Sequence, residues 1–216
     1  MIQEDIRSYQ DEHGLRWYET PAGVLPSVTT ILKETASKEE RDRIRKWQHK
    51  VDKLHGKGTA GEESSQAKSR GTDVHKLIEE FLSGSSLDFP SNEYFAQALP
   101  FLKMIKSTVC SIEFPVYYYS EYAGRLDAVA IVDGKLSVID FTTSKRLKRK
   151  QWLDNKFLQC AAYSIAYNWI WDESISSLTV VVMSPDKLQV FDDVVETYSK
   201  QWLDRVQWFW EKHGSE

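Results

Sequence analysis

The sequence predicts a mixed α/β fold: a central mixed β-sheet flanked by helices, with a helical arm before it. Three observations lead to that class. Two apolar runs, AVAIV at 128–132 and LSVI at 136–139, flank Asp133-Gly134, a dipeptide that favours a tight hairpin turn, so two antiparallel strands are expected. Residues 63–82 place Val74, Leu77, Ile78, Phe81 and Leu82 at the three- and four-residue spacing of an amphipathic helix. Residues 178–183, LTVVVM, form an unbroken apolar run of the length of a buried strand.

The remaining elements follow in order. Residues 1–26, with Arg16-Trp17-Tyr18-Glu19-Thr20 ahead of Pro21, Gly23 and Pro26, read as a short hairpin or extended lead-in. Ser27 is placed to cap a helix over 28–32, and a second helical stretch covers 37–54. That stretch carries Arg41, Arg43, Arg45, Lys46, Lys50 and Lys53 with Trp47, partly neutralised by Glu39, Glu40, Asp42 and Asp52. It reads either as a solvated helix face or as an arm that guides a nucleic-acid strand. Three glycines within 56–61 predict a flexible linker, and the GxxxxGK[ST] spacing of a phosphate loop is absent. Ser83-Gly84-Ser85-Ser86 ends the next helix, and Pro90-Ser91 opens another over 92–106. Residues 111–119 are β-branched and aromatic and predict a strand that Pro115 confines to an edge or a bulge; with the hairpin it makes a three-stranded meander. A helix over 151–171 offers Phe157, Ala161, Ile165 and Ala166 for burial. Pro185-Asp186 turns the buried strand into residues 187–194, and a last helix over 196–213 sets Trp202, Val206, Phe209 and Trp210 toward the core. No internal repeat is present.

The bulk properties bound the function. A chain of 216 residues and 25.1 kDa is expected to be one domain, with residues 1–62 as lead-in and arm and 63–216 as the core, and to be a monomer. The net charge of −4 gives no global bias toward polyanions, so a nucleic-acid surface has to be local. Cys110 and Cys160 are far apart and form no CxxC, which excludes a four-cysteine iron–sulfur cluster or zinc ribbon and suits a reducing compartment. The start MIQEDIRSYQ carries charges where a signal peptide needs an apolar core, and no run approaches ~18 apolar residues. A soluble, cytoplasmic protein of bacterial or phage origin is expected, with no membrane partner.

The chemistry concentrates on the hairpin. Asp127 is expected to open its first strand and Asp140 to close its second, so pairing through Asp133-Gly134 brings both carboxylates to one end. Two carboxylates held that close repel, a cost usually met where a cation lies between them, and oxygen ligands of this kind suit Mg²⁺ or Mn²⁺. On the residues alone a second reading stands beside it, in which Asp127 is a strand cap and Asp140 starts an exposed turn. His75 lies one position off the apolar stripe of its helix, where it is either a packing residue or a ligand.

The order helix, three strands, helix, strand, with acids at strand ends, resembles the PD-(D/E)XK nuclease superfamily and its restriction-endonuclease-like core. Four stretches resemble its RecB-like branch: Arg70-Gly71-Thr72-Asp73-Val74-His75 the helix-borne histidine motif, Gly124-Arg125-Leu126-Asp127 the GxxD element, Val138-Ile139-Asp140-Phe141-Thr142-Thr143-Ser144 the D-x-K-T segment, and Gln159-Cys160-Ala161-Ala162-Tyr163 the QxxxY helix. Within that branch the sequence is similar to the group of the mitochondrial genome maintenance exonuclease and its bacterial and phage relatives, which share the Pro26-Ser27-Val28-Thr29 opening and lack the iron–sulfur cysteines. The resemblance spans about residues 26–195.

That resemblance implies a Mg²⁺- or Mn²⁺-dependent DNA exonuclease acting on single strands from free ends, with a role in DNA replication or repair. It implies Asp127 and Asp140 as metal ligands, completed by His75 and the Phe141 backbone carbonyl. Gln159 and Tyr163, four apart on one helix face, are implied to lie against the bound strand or to steady the site. Glu113 matches an acidic position that either binds a second metal or faces solvent. The divalent ions would activate water and offset the charge on the scissile phosphate.

One position departs from the pattern. The family's lysine, two residues after the second acid, is Thr142 here, whose hydroxyl carries no charge. Three explanations are open: an inactivating substitution, a nearby lysine such as Lys145 in its place, or a catalytically silent nucleic-acid-binding module of the same fold. If only the amine is lacking, Thr142→Lys raises activity. Lys145, Arg146, Lys148, Arg149 and Lys150 place five positive charges in six residues after the second acid, either as a solvated loop or as a phosphate-binding rim, with Arg70, Arg45 and Lys46 as further phosphate contacts.

Overall fold

The structure, a computed structural model, describes residues 6–85 and 92–214; the expected helix start at Pro90-Ser91 lies outside them. An antiparallel sheet of β1 (Arg7–Gln10), β2 (Arg16–Thr20) and β3 (Gly23–Pro26) opens it. Ser27 caps α1 (Val28–Glu34) by accepting the Thr30 N–H, as its residue type predicts. At the start of α2 (Lys38–His55) the Ser37 hydroxyl accepts from the Glu40 N–H and the Glu40 carboxylate accepts from the Ser37 N–H, a capping box. No residue of α2 is buried, and Ile44, Trp47 and Leu54 stay exposed. It lies against α3 (Thr59–Leu82). The linker expected at 56–61 is shorter than its glycines imply. Gly56 at φ 104° ends α2 and Gly58 at φ 95° starts α3, so two left-handed glycines make the whole turn and Gly61 is already helical.

Asn92 caps α4 (Glu93–Ile105), which a single 3₁₀ turn, Lys106–Thr108, follows. The central sheet then runs in spatial order β4 (Ser111–Tyr118), β5 (Tyr122–Val132), β6 (Lys135–Thr143), β7 (Ser177–Met183) and β8 (Leu188–Val194). The first three form the expected meander, and Asp133 and Gly134, at φ 48° and 77°, turn between β5 and β6. Pro115 lies on β4, at the sheet edge. β7, buried throughout, pairs parallel to β6 after the crossover through α5 (Asp154–Trp171), and β8 returns antiparallel into α6 (Val195–His213). α5 starts later than residue 151 because a 3₁₀ turn, Lys150–Trp152, precedes it.

Each face of the sheet has its own core. Val129, Val138, Val180 and Val182 pack with Phe157, Ala161, Trp202 and Phe209 of α5 and α6. Ala128, Ala130, Ile139 and Phe141 pack on the other side with Val74, Ile78, Phe95 and Leu102 of α3 and α4. This is the layered burial that fully apolar strands require.

The two acids sit differently from the expectation. Asp127 lies within β5 rather than at its start, and Asp140 lies three residues before the end of β6. The β5–β6 ladder stops at Ala128↔Ile139, while β5 stays paired with β4 to Tyr118↔Tyr122 and β6 with β7 to Thr143↔Met183. The strands therefore fork, and both acids stand at the crotch. Side-chain alternation also breaks there: Leu126 packs toward α5 but Ala128 toward α3, and on β4 Phe114 and Ile112 divide the same way across Glu113, whose φ is 45°. Because both strands change phase together, Ile112↔Ala128 and Phe114↔Leu126 remain in one register.

Candidate active site

The buried stripe of α3 fixes the helix against the sheet and leaves His75 at the fork. Its Nε2–H donates to the Phe141 carbonyl at 2.7 Å, and Nδ1 lies 3.7 Å from both Glu113 Oε1 and Asp127 Oδ2. Glu113 reaches this point from a left-handed backbone conformation that costs a non-glycine residue about 1–3 kcal/mol. Arg125 holds that conformation by donating from Nη1 to the Glu113 carbonyl at 3.0 Å. Asp127 accepts the Phe141 N–H at 2.8 Å, so its side chain replaces the ladder bond lost at the fork.

Asp140 is almost fully buried, and its Oδ1 accepts from the Lys156 ammonium at 3.0 Å, an ion pair from the first turn of α5. Its Oδ2 is buried with no hydrogen-bond partner among the described residues. Farther along α5, Gln159 Nε2 donates to the Tyr163 hydroxyl at 3.2 Å. The Tyr163 ring lies so close over Gly124 that a Cβ there would meet its Cε1 at 2.5 Å. The glycine of the GxxD element and the tyrosine of the QxxxY helix are thus two halves of one contact.

His75, Glu113, Asp127, Lys156, Gln159 and Tyr163, but not the buried Asp140, line a cavity of about 790 Å³, bounded on one side by Lys68, Thr72 and Lys76 of α3 and on the other by Arg16 and Thr142. Burial pushes Asp127 up to about 7, helped by the Asp140 charge, while His75, Lys156 and the Phe141 N–H pull the other way. Burial works against protonated His75, but Asp127, Glu113 and Asp140 outweigh it and raise its pKa to about 9. Burial likewise opposes the Lys156 charge, and Asp140 and Asp127 hold it above the ordinary lysine value.

Among the described residues, His75, Glu113 and Asp127 each offer one ligand atom, all within 4.8 Å of one another. A divalent cation fits this donor set of one imidazole nitrogen and two carboxylate oxygens once His75 has shed its proton. Asp140 is not one of the three: its Oδ1 is on Lys156 and its Oδ2 is buried without a partner among the described residues. The Phe141 carbonyl, expected as a ligand, already accepts from His75.

The basic residues divide. Lys145 is exposed and does not line the cavity; the lysine that reaches Asp140 is Lys156. Lys150 pairs with the Asp193 carboxylate and donates to the Asp192 carbonyl, Arg149 lies over the Trp152 ring, and the Lys148 backbone is tied on both sides to the Gln189 amide. Arg146 is exposed, with its backbone N–H on Ser144. Arg70 turns its guanidinium over Tyr94, Arg45 pairs with Asp42, and Lys46 is exposed. None of these lines the cavity. The sequence reading missed Lys156 and Arg125. Lys156, Gln159 and Tyr163 stand at i, i+3 and i+7, one helix face, and that spacing was the available signal.

No protein-family model matches the chain. It is 30% identical over 206 residues to mitochondrial genome maintenance exonuclease 1 of Homo sapiens, covering 88% of this chain and 59% of that protein. The Mus musculus protein of the same name is 29% identical over 202 residues, covering 87% and 60%. The chain is a relative of these exonucleases. It spans about 60% of their length. A solved phage related exonuclease from Haemophilus somnus 129PT has 13% identity and a TM-score of 0.30, over 66% of this chain and 82% of that one. No helix among the described residues is long and apolar enough to cross a membrane.

Proposed function

We propose that the chain is a divalent-metal-dependent DNA exonuclease of the PD-(D/E)XK type, removing nucleotides from a free end of single-stranded DNA. The observation that carries this reading is the convergence of His75, Glu113 and Asp127 at the strand fork, on the wall of a cavity that Arg16, Lys68, Lys76 and Lys156 also line. Sequence similarity to proteins named as exonucleases supports it.

His75, Asp127 and Glu113, with the free oxygen of Asp140, would hold Mg²⁺ or Mn²⁺. When bound, the cation supplies Lewis acidity toward water and phosphate. Around it the chain's own groups do the rest. Arg125 fixes Glu113, His75 anchors the Phe141 carbonyl and so the end of β6, and Lys68 and Lys76 line the path of a phosphate backbone. A cavity of about 790 Å³ takes a drug-sized body, roughly one or two nucleotides, and favours a single strand over a duplex.

The test is digestion of end-labelled single-stranded DNA with Mg²⁺ or Mn²⁺, comparing wild type with Asp127→Asn and Asp140→Asn. Progressive shortening by wild type, abolished by either substitution and by EDTA, is the expected result. Thr142, uncharged where the resembling nucleases carry lysine, favours a second reading as a silent nucleic-acid-binding module. That reading predicts bound but intact DNA under every metal condition.

A further inference from the structure

We propose that Lys156 is the catalytic cation of this site, placing its ammonium on the scissile phosphate from the helix side of the fork; the inference rests on the nuclease reading above. Lys156 Nζ stands 3.0 Å from Asp140 Oδ1 and lines the same cavity as Asp127, His75 and Thr142. About a third of its side chain stays exposed, so the ion pair is open to a ligand rather than sealed in the core.

Its position is not what helix formation selects. A cation in the first turn opposes the helix dipole, and on α5 that turn holds Lys156 two residues after Asp154. A residue set against its local preference and turned onto a buried acid marks a place where function outranks propensity. Among the cations that line the cavity, Lys68 and Lys76 stand on the α3 wall, and Lys156 is the one paired with Asp140. Arg125 donates to the Glu113 carbonyl, and Lys145 lies outside the cavity. Thr142, facing the cavity two residues after Asp140, offers only a hydroxyl.

The reaction sets the demand. A water oxygen forms a bond to phosphorus, the bond from phosphorus to the departing nucleoside oxygen breaks, and that oxygen takes up a proton. One water is consumed, leaving a hydroxyl end and a phosphate monoester end. Negative charge grows on the phosphoryl oxygens at midpoint. Lys156 donates to one of those oxygens and keeps its own proton throughout, so it acts as a fixed charge.

The experiment compares wild type, Lys156→Met, Lys156→Arg and the double variant Lys156→Met/Thr142→Lys on end-labelled single-stranded DNA with Mn²⁺. Loss of one such donor commonly costs ~10²–10³ in kcat. Lys156→Met is expected to lose that factor, Lys156→Arg to lose less, and the double variant to regain tenfold or more over Lys156→Met. Affinity for the same DNA in Ca²⁺ is expected to stay within about twofold, because one contact among many phosphate contacts is removed. Calorimetric Mn²⁺ affinity is expected to rise in Lys156→Met, whose acid no longer has an ammonium on it. Thermal unfolding confirms that each variant is folded.

Thr142→Lys alone puts a second ammonium where one already stands, and kcat is expected to stay within about threefold. Lys156→Met with half or more of wild-type kcat, a double variant no better than Lys156→Met, or a tenfold gain from Thr142→Lys alone each overturns the assignment. A wild-type chain that cleaves nothing overturns the nuclease reading itself and this inference with it.

Discussion

The Tyr163 ring lies directly on Gly124, with its Cε1 2.5 Å from where a glycine Cβ would stand. Gly124 is buried on β5, three residues before Asp127, and Tyr163 sits on α5 seven residues after Lys156. The contact therefore sets the distance between the strand that carries one acid and the helix that carries the ammonium.

Gly124→Ala is expected to push the Tyr163 ring off the strand at a cost of about 1–3 kcal/mol, the usual range for an extra methyl in a packed site. For a chain of this size that is a fall in Tm of several degrees. In a Tyr163→Ala background the same substitution should cost less than about 0.5 kcal/mol, since its steric partner is gone. Equal costs in both backgrounds would mean that the glycine serves the backbone rather than the ring.

Metal affinity should climb with pH. His75 titrates at about 9 and Asp127 at about 7 in the metal-free protein, and both must shed their protons to act as ligands. The logarithm of the Mn²⁺ association constant is expected to rise by roughly one per pH unit between 7 and 9, and more steeply below 7, where a second proton is displaced. Calorimetry in buffers of different ionisation enthalpy measures the released protons directly. A pH-independent affinity would remove both residues from the metal site.

The same groups set the stability of the metal-free chain. His75 has a folded pKa raised from 6.5 to about 9, so its stabilisation is complete below 6.5 and is lost as pH rises through 9. Asp127 is raised from 3.8 to about 7, so the folded state favours its neutral form and loses that advantage as pH climbs from 3.8 to 7. Both trends have one sign, and Tm in EDTA is expected to fall between pH 6 and 9. His75→Ala should flatten the upper half of that fall; an unchanged profile would detach the pH dependence from the site.

The sheet was legible because its signals are local. Asp133-Gly134 dictates the hairpin, and the apolar run at 178–183 dictates a buried strand; both elements stand where the sequence puts them. The glycines at 56–61 misled because two left-handed residues suffice for a helix–helix turn, which leaves Gly61 free to be helical. The fork was not legible: where the β5–β6 ladder ends depends on how α3 and α5 wedge into the two faces, and no local pattern encodes that. Lys156 was missed for a related reason. Along the sequence the lysine next after Thr142 is Lys145, whereas the helix returns a cation to the acid from fourteen residues beyond Thr142.

The last prediction concerns where a strand is held. In sequence, the run from Lys145 to Lys150 is the densest positive charge, but Lys150 is neutralised by Asp193, Arg149 rests on Trp152, and none of the run lines the cavity. Lys68 and Lys76, eight residues apart on α3, are exposed, carry no ion pair among the described residues, and flank His75 on the cavity wall. Each phosphate neutralised on single-stranded DNA adds about −0.7 to the slope of log affinity against log salt. Lys68→Ala/Lys76→Ala is thus expected to flatten the slope by roughly 1.4 and to weaken binding to all sequences alike. Replacing Lys148, Arg149 and Lys150 together should flatten it by less than about 0.7, one phosphate's share. Fluorescence anisotropy in Ca²⁺ across a salt series measures both slopes. If the triple variant lost the larger share, the strand would lie over the loop after β6, and the α3 lysines would be ordinary solvated charges.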